Sequence, residues 1–143
     1  MTVKQISVFL ENKPGAMAAF TDVLSKNKID MRALSLAEAA DFGIVRLIVN
    51  DVYNAMQVLK DEGYICSATN VLAVAIPDEP GGLANVIHCL GVAEINVEYI
   101  YAFTPSQKDL AYMIFRVEDN EKAIAVLSKN NVKLVSQEEL ANL

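Results

Sequence analysis

The chain repeats itself, and this duplication constrains the fold more than any other feature of the sequence. The turn Asn12–Gly15, which reads Asn-Lys-Pro-Gly, returns 66 residues later as Asp-Glu-Pro-Gly at Asp78–Gly81. An apolar run precedes each turn, a helical pattern follows it, and Ile29–Asp30 corresponds to Ile95–Asn96 at the same offset. A register that holds over roughly twenty positions indicates two copies of one structural unit.

Each copy alternates between strand and helix patterns. Apolar residues at every second position, as in Ile6, Val8 and Leu10, predict strands, whereas apolar residues three and four positions apart predict helices. The first copy is predicted to contain strands at 6–10, 31–37, 42–49 and 64–71, a helix at 16–26, and a helix that begins at 52 and that Gly63 ends. The second copy is predicted to contain strands at 71–76, 96–103, 110–117 and 132–135 and helices at 82–90 and 120–129.

The order β-α-β-β-α-β in each copy is that of a ferredoxin-like unit. The expected fold class is therefore α+β, with one ferredoxin-like module at 1–70 and a second at 71–143. Each module is expected to have a four-stranded antiparallel sheet with both helices on one face. Because a module of about 70 residues is near the lower limit for an independent core, the two are expected to pack side by side.

Several boundaries follow from local signals. Residues 68–70 are predicted to form a short linker, and the connection at 104–109 is two residues longer than its counterpart in the first copy. Asp51 and its counterpart Asp119 are suited to cap the helices that follow them. Ser136–Glu139 has the spacing of a capping box, which predicts a short C-terminal helix that the first copy lacks.

Composition excludes several classes of partner. The net charge is −6 and no basic run occurs, so nucleic acids and anionic membranes are not expected partners. No apolar stretch approaches the length of a membrane span, and the N-terminus lacks a signal-peptide pattern, so a cytoplasmic location is expected. Cys66 and Cys89 lie among apolar residues without metal-site spacing and are interpreted as reduced core residues.

The repeated turn is the candidate site. Proline fixes φ, and glycine without a Cβ permits a sharp turn that a ligand can approach closely. The free amides of a helix N-terminus favour a carboxylate or a phosphate, while Asn12 or Asp78 is suited to an ammonium or amide group. This combination matches a free α-amino acid. The alternative is that both Pro-Gly pairs are ordinary turn residues with no ligand.

The pattern of a strand, Asn/Asp-x-Pro-Gly, an amphipathic helix and Ile-Asp/Asn resembles the ACT domain, and it covers nearly the whole chain twice. The segment Glu11–Gly15, with Ile29–Asp30 downstream, is also similar to the opening of acetohydroxyacid synthase regulatory subunits. The resemblance implies a ferredoxin-like module that senses amino acids in metabolic enzymes and their regulatory subunits. It also implies that such ligands lie between two paired modules, where a first helix and a second strand meet.

The resemblance assigns the ligand contacts to the residue that opens the turn, the turn glycine and the start of the second strand. These positions are Asn12, Gly15, Asp30 and Met31 in the first copy and Asp78, Gly81, Asn96 and Val97 in the second. In the second turn Asp78 and Glu79 replace Asn12 and Lys13, and their negative charges oppose a carboxylate. The first copy is therefore expected to bind an amino acid more tightly, with Asp30 receiving its ammonium group.

No catalytic residues, metal ligands or cofactor motif are predicted. His88 is the only histidine, and its side chain diverges from that of its neighbour Cys89 on a helix, which excludes a dyad. The expected function is a non-enzymatic, allosteric amino-acid-binding protein that acts on a partner enzyme of amino-acid metabolism, with a homodimer as the expected assembly. Two alternatives stay open: a small enzyme on the same scaffold, and an assembly subunit whose ligand sites have lapsed.

Overall fold

The structure is a computed structural model that describes residues 1–103 and 108–143. The described residues form two compact units, Lys4–Thr69 and Asn70–Leu143, and the latter also includes Met1–Val3. We call these the first unit and the second unit.

The first unit contains two helices and the strands that the repeat predicts. The chain runs through β1 (Val3–Glu11), α1 (Ala16–Lys26), β2 (Met31–Ala39), β3 (Phe42–Val49) and α2 (Val52–Asp61) before it enters β4 (Cys66–Pro77). The Asp51 carboxylate accepts a hydrogen bond from the Asn54 amide at 3.1 Å, so the predicted cap of α2 is confirmed.

The sheet of the first unit is antiparallel, with β3 between β1 and β2. Glu11 at the end of β1 and Ala39 at the end of β2 both lie opposite Phe42. Met31 at the start of β2 lies opposite Val49, at the other end of β3. Because β1 and β2 both pair antiparallel with β3, the last residues of β1 and of β2 lie at the same end of the sheet. This register decides which side chains approach the Pro-Gly turn.

Both helices of the first unit cover the same face of the sheet. Phe20 and Leu24 of α1 and Ala55 and Leu59 of α2 belong to one buried cluster. The cluster also contains alternate residues of the strands, namely Ile6, Val8, Leu10, Val45, Leu47 and Val49. The period-two pattern of these strands therefore marks the helix-covered face, as the sequence predicts.

The second unit repeats this order of elements. After β4 come α3 (Gly82–Val92), β5 (Val97–Phe103), β6 (Leu110–Val117), α4 (Asn120–Lys129), β7 (Lys133–Val135) and α5 (Gln137–Ala141). The strands are antiparallel, with β6 between β5 and β4, and with β4 between β6 and β7. A separate core contains Leu72, Val74, Ile76, Val86, Leu90, Phe115, Val117, Ala123 and Leu127.

The predicted α+β class and order of elements are confirmed, but the linker at 68–70 is not. Those three residues lie inside β4, which continues for 12 residues from Cys66 to Pro77. No glycine or proline lies between Cys66 and Ile76, and Val71–Ile76 are all buried, so no local signal ends the strand at the predicted linker. The expectation that the modules pack side by side stays a prediction.

Two smaller expectations have different outcomes. The capping box of α5 is present, because Ser136 and Glu139 each bond the other's backbone amide. The longer connection at 104–109 lies largely outside the described residues, which resume at Lys108. Among the described helices, none has the length and apolar character needed to cross a membrane.

Candidate functional site

The first Pro-Gly turn leads directly into α1. Gly15 has φ = 86°, in the left-handed region that favours glycine, and α1 begins without a side-chain cap. The Ala16 amide donates to the Lys13 carbonyl at 3.3 Å, which closes the turn. Because no side chain occupies the positive end of the α1 dipole, this terminus is suited to an external anion.

Asn12 anchors the turn to the connection between β2 and β3. Its backbone amide donates to the Asp41 carbonyl and its side-chain amide donates to the Ala40 carbonyl, both at 3.0 Å. These bonds hold the turn against the end of β2. The predicted ligand residue therefore also has a structural role, and its side-chain oxygen is the atom left to meet a ligand.

A small pocket of about 160 Å³ opens between this turn and the end of β2. Its lining combines an apolar wall, charged groups and turn backbone: Leu10, Glu11, Asn12, Lys13, Gly15, Ala16, Met17, Leu36, Glu38 and Gly43. Two of the predicted ligand residues, Asn12 and Gly15, are among them.

Gly43 forms part of the pocket wall where β3 passes the turn. It is buried, and a Cβ at this position would lie 3.1 Å from Cδ1 of Leu36 and 3.3 Å from the Ala37 carbonyl oxygen. A glycine inside a strand often marks a place that a ligand or another backbone approaches closely. Here the missing side chain of Gly43 leaves space for the pocket next to Leu36.

The charges around the pocket have both signs. The Lys13 ammonium lies 2.7 Å from the Glu11 carboxylate, and both side chains are exposed. The hydrogen bond from Lys13, together with its positive charge, lowers the pKa of Glu11, and the same contact raises the pKa of Lys13. Both groups are therefore charged at neutral pH. Glu38 adds a second carboxylate at the end of β2.

The structure does not bring Asp30 and Met31 to this pocket. They stand at the start of β2, whereas the turn meets its end, and eight residues of strand span about 26 Å. The Asp30 carboxylate lies 3.4 Å from Nε of Arg32 instead. Met31 packs against the core of the first unit. The expectation that Asp30 receives the ammonium of a ligand at this turn is therefore wrong within the first unit.

The second turn has the same backbone but a tighter entry to its helix. Gly81 has φ = 90°, and the Asp78 amide donates to the Asp109 carbonyl at 3.0 Å. Gly82 is buried, and a Cβ there would overlap the Pro77 carbonyl oxygen. Residues 104–107, which correspond to the region of Glu38 in the first unit, lie outside the described residues.

Asn96 and Val97 repeat the placement of Asp30 and Met31. Val97 lies opposite Val117, at the far end of β6, whereas Pro77 lies opposite Leu110. Val97 packs against the core of the second unit. In both units, then, the start of the second strand and the Pro-Gly turn lie at opposite ends of the sheet.

Sequence reasoning missed Met17, Leu36, Glu38 and Gly43 as pocket residues. A signal for them was present in the predicted strand order. In a ferredoxin-like unit the first and second strands both pair antiparallel with the third. The last residues of the first two strands must therefore lie at the same end of the sheet. Applied to the predicted strands, that rule places the residues near 36–38 beside the turn.

The other singled-out residues lie elsewhere. His88 is exposed on α3. Cys66 and Cys89 are free, half-buried thiols that pack against the cores of their units, as expected. Burial raises the pKa of the Cys66 thiol, and the charge of Lys60 opposes this only in part, so the thiol is protonated at neutral pH. The Nε atom of Arg116 on β6 lies 3.2 Å from the Glu98 carboxylate on the neighbouring strand β5, so these two side chains form an ion pair.

Comparison with known protein families identifies the family of the chain. The family model of the ACT domain pair matches residues 1–143. The chain belongs to the ACT domain pair family. No curated protein sequence matches it. Among solved structures, this ACT domain pair is similar to protein BT0572 from Bacteroides thetaiotaomicron, with 38% identity, a TM-score of 0.93, and coverage of 100% of this chain and 98% of that one.

The ACT domain pair also shares its fold with regulatory subunits of aspartate kinase. The ligand-free subunit from Thermus thermophilus has 16% identity and a TM-score of 0.65, with 88% of this chain and 91% of that chain covered. The subunit from Thermus flavus has 14% identity and a TM-score of 0.62, with 88% and 90% covered. At these identities the likeness concerns the fold.

Proposed function

We propose that this ACT domain pair is a non-enzymatic regulatory protein that binds a small free amino acid at the first Pro-Gly turn and acts on a partner enzyme of amino-acid metabolism. Membership of the ACT domain pair family supports the regulatory role. The fold shared with regulatory subunits of aspartate kinase supports a partner of that kind. A cytoplasmic location is part of the same proposal.

The observation that carries the proposal is the pocket at the first turn. A cavity of about 150 Å³ holds one benzene-sized molecule, so a pocket of about 160 Å³ matches one small amino acid. We assign the α-carboxylate to the N-terminus of α1 and to Lys13. Glu38 then receives the ammonium group in place of Asp30, and Leu36 and Met17 contact the side chain.

The second turn is proposed to be structural or to bind more weakly. Asp78 and Glu79 place two negative charges where the first turn has Asn12 and Lys13. An anion near such charges is repelled, although exposure and salt reduce the effect. Asp78, Gly81, Asn96 and Val97 stay predicted ligand residues, and Asp30 and Met31 stay candidates only for a site that a different module completes.

A thermal-shift screen against the twenty amino acids tests the proposal. A ligand that binds only the folded chain stabilises it by about 2.7 kcal/mol at one hundred times its Kd. We expect a small subset of amino acids to raise the Tm, and calorimetry on the best of them to give one strong site per chain.

Gly15→Val is the decisive variant. A Cβ at Gly15 has no atom within 4 Å, so a side chain there enters the space that the ligand would use, without disturbing a protein neighbour. Gly63→Val is the matched control, because Gly63 also has φ = 86°, also has no atom within 4 Å of a Cβ, and does not line the pocket. Both variants suffer similar backbone strain, yet only Gly15→Val is expected to abolish binding. Equal affinities in the two variants would rule out this site.

A further inference from the structure

Three large apolar side chains of the first unit are exposed together. Phe9 is 47% exposed, Phe42 is 41% exposed and Ile65, just before β4, is 71% exposed. The rings of Phe9 and Phe42 lie 5.8 Å apart, and the Phe9 amide donates to the Ile65 carbonyl at 3.0 Å. We call this surface the Phe9 patch.

The Phe9 patch is the exposed end of the sheet face opposite the helices, whereas Gln5 and Ile48, farther along the same face, are buried. Val8 and Leu10, on either side of Phe9, point into the core beneath α1 and α2. Tyr64 and Cys66, on either side of Ile65, also pack against that core. Because side chains alternate along a strand, Phe9 and Ile65 point to the opposite face.

The second unit covers the corresponding face with its own chain. The counterparts of Phe9 and Ile65 in the repeat are Ala75 and Lys133, one small and the other charged. Beside them lies a groove that Tyr112 and Val135 line together with four residues in and after α5, namely Glu138, Glu139, Asn142 and Leu143. Leu140 of α5 is almost fully buried. The first unit continues from Ile65 into β4 and has no such helix, so its larger apolar side chains stay exposed.

The exposed area fits the centre of a protein interface. A phenylalanine has about 200 Å² of surface, so the three side chains together expose on the order of 300 Å². A standard interface buries about 800 Å² on each partner, of which roughly 60% is apolar. The Phe9 patch therefore supplies more than half of the apolar area that one partner needs.

The charges at the rim favour a second copy of the same chain. A groove of about 330 Å³ runs beside the patch, and Phe9, Tyr64 and Ile65 line it together with Glu11, Lys13 and Glu62. Both signs of charge lie at one rim. Lys13 lies 2.7 Å from Glu11 of its own chain, and a two-fold axis through the patch allows it to approach Glu11 or Glu62 of a second copy as well.

We propose that the Phe9 patch is the centre of a two-fold interface between two copies of this chain. The apolar side chains of one copy pack on those of its partner, and the charged rim sets their register. This proposal rests on the exposed apolar side chains of the first unit, so it does not require that an amino acid binds at the first turn.

Sedimentation velocity of the full chain at concentrations from about 10 μM to about 500 μM tests the proposal, since interfaces of modest area dissociate in this range. The wild type is expected to dimerise. Ile65→Lys, which introduces the residue that the second unit has at this position, is expected to weaken the dimer at least tenfold. Val92→Lys is the matched control, because Val92 is 73% exposed on α3 of the second unit and should leave the dimer unchanged.

A second variant tests whether a loss of the dimer in Ile65→Lys reflects the whole Phe9 patch or only position 65. Phe42→Gln changes the other side of the patch and is expected to weaken the dimer as well, while circular dichroism shows both variants folded. A wild type that stays monomeric throughout the range overturns the proposal, and the patch then has another partner or none. A dimer that tolerates both variants, or that Val92→Lys weakens equally, also overturns it.

Discussion

At the scale of single residues, two glycines of the same helix have opposite expected roles. Gly82 begins α3 against the Pro77 carbonyl, whereas a Cβ at Gly91, near its end, would have no atom within 4 Å. The first copy has an alanine, Ala16, at the position of Gly82. The two turns therefore share a motif and a backbone conformation, but the second packs its helix more closely against the preceding strand.

This difference predicts that alanine substitutions at the two glycines change the stability of the fold in opposite directions. Gly82→Ala is expected to destabilise the chain by about 1–3 kcal/mol, since the new methyl group overlaps a backbone oxygen that the sheet holds in place. Gly91→Ala is expected to stabilise it by about 0.5–1 kcal/mol, because alanine loses less conformational entropy in a helix. Chemical denaturation of both variants measures the two changes. If both changes had the same sign, the close contact at Gly82 would be absent.

At the scale of elements, helices and strand pairs were predictable where the sequence carries a local signal. Helix α1, strand β3 and helix α4 begin and end where the patterns predict, because turn and capping residues flank them. Strand β4 was predicted as two strands, because the duplication suggested a boundary that no residue in the chain enforces. The repeat identifies equivalent positions, but only local chemistry stops a strand.

The candidate site was predictable at the turn and not at its opposite wall. Asn12 and Gly15 belong to a contiguous motif, so the sequence alone places them together. Glu38 and Gly43 approach the turn only through the pairing of β1 and β2 with β3, which is a property of the whole sheet. Asp30 was assigned from the family pattern, and that assignment carries no information on which strand end faces the turn.

The short helix α5 carries a pH-dependent cap. The Ser136 amide donates to the Glu139 carboxylate at 2.8 Å, and the Ser136 hydroxyl accepts from the Glu139 amide at 3.1 Å. The backbone hydrogen bond from Ser136, followed by its side-chain hydrogen bond, lowers the pKa of Glu139. A carboxylate with a lowered pKa in the fold stabilises it above the unfolded value of about 4.3 and loses this effect as the pH falls through the folded value.

We therefore expect α5 to loosen in acid, as the pH falls through the lowered folded-state pKa of Glu139 and its carboxylate becomes protonated. The NMR signals of the Leu140 methyl groups report this, because that side chain is buried only while α5 is docked. Glu139→Gln keeps an oxygen acceptor but cannot titrate, so its Leu140 signals should show no such step in acid. A step of the same size in this variant would assign the transition to another group.

At the scale of the whole molecule, the two proposals share side chains. Leu10, Glu11, Lys13 and Ala16 line both the pocket at the first turn and the groove beside the Phe9 patch. An amino acid whose carboxylate engages Lys13 removes that cation from the rim, where it would otherwise face a glutamate of the second copy. Under the two proposals, ligand binding and dimer formation compete for one charge. Such a competition would give this ACT domain pair a way to convert ligand binding into a change of assembly.

This competition predicts that the bound amino acid weakens the dimer by about fivefold, at the low end of allosteric coupling, because exposed ion pairs contribute little. Sedimentation with and without saturating amino acid measures the change in the dimer dissociation constant. Calorimetry at protein concentrations below and above that constant measures the change in amino-acid affinity. Because each copy of the dimer carries one site, reciprocity requires the change in the dimer dissociation constant to equal the square of the change in amino-acid affinity per site. Lys13→Met removes the shared cation, so in that variant the dimer should persist while the coupling disappears. If Lys13→Met kept the full coupling, the two surfaces would communicate through the packing of Leu10 and Ala16 and not through charge.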